Sequence, residues 1–311
     1  QRSGVCAGGQ HHGFPPEDPL AGLHELGNRR QIHAENFRVF AACPKTLRLL
    51  LHILRQYQIA LPLGGIGTGT VSLGGRGELR DWEIMNVPAK KYSTVTTGNN
   101  APFFAIYAKP QNQKATTTLL AGPLYSHEYL HYEGRPVNHH GLPRFEQASF
   151  EAAYPFGQVS LSDSNLPVKV KVKGFNPFIP GDADASGLPV AVLSYEVTNT
   201  TDQPMNVSIC GSIRNFIGKD GSKFRTDWKG DYIPTGAKNN KNKYVESNNI
   251  KGIYLYSDGV DKDDSAWGTV ALTTQAVNGV TYRTSSKADN WNNSILNFWD
   301  DFSADGMLTE R

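Results

Sequence analysis

The sequence has little that points to a membrane or a nucleic acid. Its 311 residues contain 31 Lys and Arg against 29 Asp and Glu, so the formal net charge is only +2. A chain this close to neutral lacks the strong field that attracts nucleic acid or an acidic membrane surface. The longest apolar run, residues 47–54, is interrupted by Arg48 and His52. It is therefore too short and too polar to cross a bilayer.

Cysteine is also scarce, since Cys6, Cys43 and Cys210 are odd in number and far apart. Domains that depend on disulfides usually carry an even number of closely spaced cysteines. We therefore expect no disulfide framework and no paired-cysteine metal site. The redox compartment and the cellular location stay open, because no clear signal peptide is recognisable either.

The abundant residues are those of turns and strands, with 31 Gly, 18 Pro and 13 Tyr. A hydrophobic fraction of 39% and a mean hydropathy of −0.43 are typical of a soluble globular protein. Val168, Val170 and Val172 share one face of a strand pattern, with lysines on the other. No long amphipathic helix pattern interrupts the turn signals. The sequence therefore predicts an all-β protein, a large antiparallel β-sandwich.

Several further segments alternate and are expected to be strands. They are residues 103–107, 145–154, 157–161, 190–198, 205–213, 252–256 and 268–274. The turn cluster 199–204 predicts a hairpin between its two flanking strands. Residues 218–249, rich in Lys, Asn and Gly, are expected to form an extended, partly functional loop.

The most distinctive local segment is the glycine-rich stretch at residues 64–77. It contains neither G-x-x-x-x-G-K-[ST] nor a G-x-G-x-x-G that opens a helix, so it does not match the phosphate-binding loops. Glycines in a strand context favour tight turns and close backbone approach. We expect a structural role within a bulged strand.

Residues 80–83 contain the first candidate site. On a regular strand, Asp81 and Glu83 would lie on one face about 6–7 Å apart, a separation compatible with a glycosidase carboxylate pair. Arg80 is adjacent and Arg76 is near, however, so a salt-bridged structural pair is the simpler interpretation. Arg80, Asp81, Trp82 and Glu83 remain candidates for sugar or domain-interface contacts.

Trp228 is the other candidate contact, because it lies in a polar segment where a tryptophan could stack on a sugar. The remaining tryptophans are as well explained by a core. No G-x-S-x-G nucleophile elbow occurs, so a Ser-His-Asp triad cannot be argued.

Metal sites are weakly indicated. His127 and His131 have the i, i+4 spacing that suits zinc on a helix, but flanking Gly and Pro residues argue against a helix there. Acidic residues at Asp182, Asp184 and residues 261–264 could hold calcium through loop oxygens, yet the EF-hand pattern is missing. We expect no metal and no cofactor.

Several motifs together resemble the N-terminal part of the family 116 glycoside hydrolases, which include bacterial β-glucosidases and non-lysosomal (bile-acid) glucosylceramidases. The motifs are Leu61-Pro-Leu-Gly-Gly-Ile-Gly-Thr-Gly-Thr70, Gly75-Arg-Gly-Glu-Leu-Arg-Asp-Trp-Glu-Ile84, Ala153-Tyr-Pro-Phe-Gly157, Leu166-Pro-Val168, Gly174-Phe-Asn-Pro-Phe-Ile-Pro180, Leu188-Pro-Val190, Val197-Thr-Asn-Thr200 and Phe298-Trp-Asp-Asp-Phe-Ser303. The resemblance covers roughly residues 57–306.

The resemblance implies an N-terminal β-sandwich followed by a C-terminal (α/α)6 barrel. In such retaining enzymes the nucleophile and the acid/base residue lie in the barrel, so no catalytic residue is transferred to this chain. The partner implied is that barrel, which would bind a β-glucoside or a glucosylceramide-like substrate. The surface facing the barrel is expected to be an exposed apolar patch.

These observations lead to three expected parts. Residues 1–56 form an atypical leader that is disordered or outside the family domain, residues 57–306 form the sandwich, and residues 307–311 begin a linker to a missing catalytic domain. The chain is expected to be a non-catalytic domain of a β-glycosidase, inactive alone. The alternatives are a free-standing carbohydrate-binding module that uses Trp228 and a self-contained hydrolase that uses Asp81 and Glu83.

Overall fold

The computed structural model describes residues 2–11, 58–84, 101–124, 139–218, 224–226, 228, 230, 232–234, 237, 239–247, 249–286 and 294–310. The strands are β1 Arg2–His11, β2 Ala60–Leu63, β3 Thr70–Gly74, β4 Leu79–Glu83, β5 Phe103–Pro110, β6 Thr116–Leu119, β7 Gln147–Ala153, β8 Phe156–Ser162, β9 Val168–Phe175, β10 Leu193–Asn199, β11 Met205–Arg214, β12 Phe224–Thr226, β13 Tyr232–Pro234, β14 Asn240–Ser247, β15 Ile250–Ser257, β16 Val270–Thr274 and β17 Val280–Arg283. The helices are α1 Ala183–Ser186 and α2 Ser294–Asp305.

A five-stranded antiparallel sheet, in the order β17-β1-β11-β5-β6, lies at the centre of the fold. Its strands β5 and β11 carry apolar side chains on both faces. Ile106 and Ile209 are opposite each other on one face, while Ala105 and Cys210 are opposite each other on the other face. Each pair belongs to a different hydrophobic core. Both faces of this sheet must therefore be covered.

One face is covered by a four-stranded antiparallel sheet in the order β10-β9-β8-β7. The alternation in β9 places Val168, Val170 and Val172 between the two sheets, each at most 2% exposed. The lysines between them face outwards, where Lys171 and Lys173 both pair with Glu196. The predicted antiparallel β-sandwich is confirmed.

The other face is covered by α2 and the segment that follows it. Phe298 and Phe302 pack with Phe103 and Tyr107 of β5. The twelve-residue α2 was not expected from the sequence, although Ile295, Phe298 and Phe302 have helical spacing and Gly306, with a φ of 80°, follows its last residue. The motif at residues 298–303 therefore lies within α2 and directs Phe298 and Phe302 into this core.

A buried ion pair fixes α2 to the sheet. The Arg283 guanidinium on β17 is 2.5 Å from the Asp301 carboxylate, and Arg283 is only 2% exposed. Asp301 also accepts a hydrogen bond from the amide of Thr309, whose carbonyl accepts one from Arg283. This network joins β17, α2 and the segment after α2.

A third sheet, in the order β14-β15-β16, forms a further core with the central sheet. Ile253 and Leu255 of β15 pack with Val5, Ile213 and Phe216. The strand β14 was not expected, since the sequence predicted an extended loop over residues 218–249. Its Lys and Asn residues have low strand propensity, and pairing with β15 overrides that preference.

The structure places Arg2–His11 as a strand between β11 and β17. This part of the expected leader is thus a member of the central sheet, although the boundary at residue 56 stays a prediction. Three of its ten residues are Gly and it lacks alternation, so no periodic signal marks it. Cys210 is disulfide-bonded, and the backbone of Cys6 lies directly opposite it. No disulfide framework was expected from the sequence and this single disulfide was not anticipated, because separation in sequence does not limit proximity across a sheet.

The expected hairpin around residues 199–204 was also wrong. β10 pairs with β9 in the four-stranded sheet, whereas β11 pairs with β1 and β5 in the central sheet. The turn therefore crosses between the two layers of the sandwich. In addition, β10 begins at Leu193, so residues 190–192 precede the strand.

We expect Asp301→Ala to lower the free energy of unfolding by about 3–5 kcal/mol, because it removes the carboxylate bound to a buried guanidinium. Chemical denaturation of the 311-residue chain measures this. The matched control is Glu196→Ala, which breaks an exposed pair and should cost at most about 1 kcal/mol. Equal losses in the two variants would contradict the role given to Arg283.

The stability contributed by the ion pair of Lys173 and Glu196 should depend on pH. The hydrogen bond from Lys173 lowers the pKa of Glu196 below its usual value of 4.5. A lowered pKa in the folded state contributes stability above the unfolded-state pKa, and this contribution is lost as the pH falls through the folded value. The difference between wild type and Glu196→Gln should thus be present at neutral pH and disappear below pH 4.5. A difference that persists in strong acid would contradict this.

Candidate functional site

Six exposed apolar residues lie on two loop segments, residues 64–69 and 176–192. They belong to the thirteen large hydrophobic residues that are exposed among the described residues. They are Ile66 (59% exposed), Phe178 (38%), Ile179 (36%), Leu188 (48%), Val190 (49%) and Val192 (40%). We call these six residues the apolar loop surface. Large apolar residues gathered in this way commonly mark an interaction site.

Backbone hydrogen bonds join the two segments. The Gly65 amide donates to the Leu188 carbonyl at 3.0 Å, and the Ile66 amide donates to the Ser186 carbonyl at 2.7 Å. A Cβ atom at Gly65 would lie only 2.3 Å from the Ser186 carbonyl oxygen. Glycine is therefore required here, and the predicted close backbone approach in the glycine-rich segment is confirmed.

The second segment is also ordered internally. The Ser186 hydroxyl donates to the Ile179 carbonyl at 3.0 Å and accepts from the Ile179 amide at 2.8 Å. Ser186 is 1% exposed. Asp182 caps α1 by accepting a hydrogen bond from the Ala185 amide at 2.9 Å. The loop between β9 and β10 is thus held in one shape by its own polar groups.

Asn176 attaches both segments to the four-stranded sheet. Its amide donates to the Pro155 carbonyl at 2.9 Å, in the turn between β7 and β8. Its side-chain amide donates to the carbonyls of Gly64 and Pro62 at 3.3 and 3.4 Å. Tyr154, which is 67% exposed, lies in that same turn. The apolar loop surface is therefore built on one end of the sandwich.

The charge of the two segments is one-sided. Asp182 and Asp184 are the only charged residues in residues 64–69 and 176–192, and both are exposed. No Lys or Arg occurs there. A partner that fits these segments would present apolar side chains, with basic groups at the rim near α1.

The predicted residues 80–83 lie on β4, beside the start of β3. Thr70 pairs with Glu83 and Ser72 pairs with Arg80, so two residues of β4 lie opposite one residue of β3. Asp81 has a φ of 49° at this bulge. The bulge interrupts the regular alternation on which the expected shared face of Asp81 and Glu83 depended.

Residues 80–82 are largely shielded from water and contact neighbouring side chains. Asp81 is 7% exposed and its carboxylate lies 3.3 Å from Nε of Arg80. Trp82 is 6% exposed and its ring meets the edge of Phe216 at a centroid distance of 5.9 Å. A buried, paired carboxylate is poorly placed to exchange protons with a substrate. Glu83 pairs with Thr70 of β3. Thr70 directly follows Gly69, the last residue of the first loop segment.

Trp228 lies between β12 and β13 and is 89% exposed. This exposure agrees with the expectation that Trp228 lies in a polar segment. Its contact with a sugar stays a prediction. Trp267 is 44% exposed. Trp291 lies outside the described residues, and Trp299 packs against the core under α2.

The residues proposed as metal ligands are not gathered into a site by the described part of the chain. Within it, no group of three or more His, Cys, Asp or Glu side chains could hold an ion. Asp182 caps α1, and Asp264 accepts a hydrogen bond from the Ala266 amide at 2.8 Å. His127 and His131 lie outside the described residues. None of the described helices is long and apolar enough to cross a membrane.

Sequence reasoning predicted an apolar surface but did not name its residues. The available signal was a set of apolar residues between Gly and Pro, without alternation, at residues 177–180 and 188–190.

Comparison with protein-family models matches residues 60–311 to the family described as beta-glucosidase 2, glycosyl-hydrolase family 116 N-term. The match includes both loop segments.

We expect Gly65→Ala to lower the free energy of unfolding by about 1–3 kcal/mol, because the new Cβ would overlap the backbone at Ser186 and force the two segments apart. Thermal or chemical unfolding measures the loss. Gly141→Ala is the control, since a Cβ there has no atom within 4 Å and needs no positive φ. Indistinguishable stabilities of the two variants would show that the contact is not a constraint.

Proposed function

Because the chain belongs to the N-terminal domain family of glycosyl hydrolase family 116, we propose that it is the non-catalytic β-sandwich of a retaining β-glucosidase or glucosylceramidase-like enzyme. It packs on and supports a C-terminal helical-barrel catalytic domain that lies outside these 311 residues. The observation that carries this proposal is the apolar loop surface, whose two segments are held together by hydrogen bonds of the chain itself. The substrate, a β-glucoside or a glucosylceramide-like lipid, binds through the partner domain.

The chemistry in this proposal belongs to the partner domain. A retaining glycosidase needs one carboxylate that attacks the anomeric carbon and a second that first donates and then accepts a proton. The first carboxylate pair predicted in this chain does not suit those roles, since Asp81 is buried against Arg80. The sandwich contributes position and stability instead.

The size of the expected contact is consistent with an interface between domains. Full burial of a Val, Leu, Ile or Phe side chain contributes about 1.5–3 kcal/mol. The six residues are between 36% and 59% exposed, so roughly half of that contribution is still available to each. Part of the total is offset by the ordering of side chains on docking. A covalently linked partner needs little intrinsic affinity, because its effective concentration is high.

A carbohydrate-binding module is the second candidate. The observation that favours it is the 89% exposure of Trp228. An exposed tryptophan offers a flat apolar face to a sugar ring. Saturable binding of a soluble glucoside by the 311-residue chain, lost in Trp228→Ala, would support this candidate over a purely supporting role.

The test of the main proposal uses a longer chain that continues into the catalytic domain, in which Leu188→Asp and Val190→Asp are combined. Two carboxylates in the apolar loop surface should weaken docking, since charged groups are costly to bury. We expect a lower unfolding temperature and a loss of roughly tenfold or more in hydrolysis of an aryl β-glucoside, about 1.4 kcal/mol of lost support. The same variant of the 311-residue chain should unfold like the wild type.

Val277→Asp is the matched control, because Val277 is 76% exposed and lies between β16 and β17, away from both loop segments in sequence. The longer chain that carries Val277→Asp should keep wild-type activity and stability. Equal behaviour of the control and the double variant would reject the docking surface. Hydrolysis by the unmodified 311-residue chain would reject the non-catalytic role.

A further inference from the structure

The outer face of the sheet β14-β15-β16 carries two neighbouring tyrosines and a lysine. The rings of Tyr254 and Tyr256 have centroids 5.5 Å apart and planes inclined by 33°. The ammonium of Lys243 lies 5.3 Å from one centroid and 5.6 Å from the other. These distances fall within the range of cation–π contacts. The three side chains form one group.

The opposite face of the sheet determines where this group points. Ile253 and Leu255, which alternate with the tyrosines along β15, are 0% and 1% exposed in the core. Tyr254 and Tyr256 therefore lie on the outward face, since successive strand residues point to opposite sides. Their strand is the central one of the three, so its backbone is held on both edges.

Small residues flank the tyrosines on the β16 side of that face. Ala271 lies opposite Tyr254 on β16, and Thr273 lies opposite Gly252. Both residues on β16 are exposed. A Cβ atom at Gly252 would lie 2.2 Å from the Leu272 carbonyl oxygen, so a side chain is excluded there. Gly252, Ala271 and Thr273 therefore form a strip of small residues beside the rings, which we call the trough.

The charge of this face is small. Lys241, which pairs with Tyr256 across the strands, forms an ion pair with Asp258. The described contacts of Lys243 are with the two rings and not with a carboxylate. A single remaining cation can donate hydrogen bonds to hydroxyl groups. It is too little charge for the many phosphate contacts that nucleic-acid binding requires.

We propose that this trough is a carbohydrate-binding surface, in which Tyr254 and Tyr256 stack on adjacent pyranose rings and Lys243 donates hydrogen bonds to their hydroxyls. The apolar C–H face of a pyranose packs on an aromatic ring, and two rings on one strand suit a linear chain of sugars. The exposed residues Ala271 and Thr273 are small enough to let such a chain pass over β16. This site goes beyond the proposed function and uses none of the residues of the apolar loop surface or Trp228.

The test is a titration of the 311-residue chain with cellohexaose, followed by calorimetry and by NMR shifts of the tyrosine rings. We expect saturable binding that moves the signals of Tyr254 and Tyr256. Tyr254→Ala and Tyr256→Ala should each weaken binding about tenfold, as expected for loss of one stacking contact. Tyr254→Phe should retain affinity within about twofold, because stacking needs the ring and not the hydroxyl.

Two further variants keep the result interpretable if an alanine variant unfolds. Ala271→Lys places a long side chain in the trough without touching the tyrosines, and it should abolish binding while the unfolding midpoint is unchanged. Tyr154→Ala removes a tyrosine that is 67% exposed elsewhere, and it should have no effect.

Several outcomes would overturn the carbohydrate site. They are the absence of binding at millimolar cellohexaose, equal affinities for wild type and Ala271→Lys, and a stronger, salt-dependent affinity for a single-stranded oligonucleotide. The outcome is separate from that of the proposed function. Ala271→Lys in the longer, two-domain chain should leave hydrolysis of a small aryl β-glucoside at the wild-type rate, whereas a failure of domain docking lowers that rate.

Discussion

The central sheet is apolar on both faces, and most of the fold follows from keeping both faces away from water. Phe103 and Phe104 are neighbours in sequence, yet they pack into two different cores. A second sheet can cover only one face, so a helix covers the other. The helix is amphipathic but short, and packing rather than propensity holds it in place. The buried pair of Arg283 and Asp301 completes this attachment, because removing water from the helix–sheet contact strengthens a charge interaction that is fully hydrogen-bonded.

The loops at the end of the sandwich follow a different principle. Their apolar side chains stay exposed because backbone and hydroxyl hydrogen bonds, centred on Gly65 and Ser186, hold the chain in an open shape. A flexible loop would fold its apolar residues against the nearest core. A surface held in advance loses little conformational entropy when a partner covers it, so more of the burial free energy appears as binding. The fixed conformation of these loops therefore contributes to binding as much as their apolar side chains do.

Regular alternation made part of the fold predictable from the sequence. Val168, Val170 and Val172 identified β9, and the strands around residues 103–107 and 205–213 were recognised in the same way. β1 and β14 were not, because a Gly-rich strand and a Lys- and Asn-rich strand owe their structure to their partners. Pairing between distant strands is a tertiary property, which also explains why the disulfide at Cys210 and the crossing turn were missed. The local sequence pattern predicts the preferred conformation of a segment, and pairing within the sheet determines whether that conformation forms.

The candidate sites were less predictable than the fold, since each depends on an exception to alternation or on which face is exposed. At Asp81 a bulge interrupts the alternation on which the catalytic alternative rested, and the Asp81 carboxylate lies beside Arg80, away from water. At Tyr254 and Tyr256 the strand was recognised, but only the burial of Ile253 shows that the rings face outwards. The two exposed surfaces also differ in physical character. The loop surface is apolar and acidic at its rim, which suits a folded partner, whereas the tyrosine face combines flat rings, small neighbours and one cation, which suits a hydroxyl-rich chain. The two surfaces share no residues, so the two proposed roles do not compete for the same side chains.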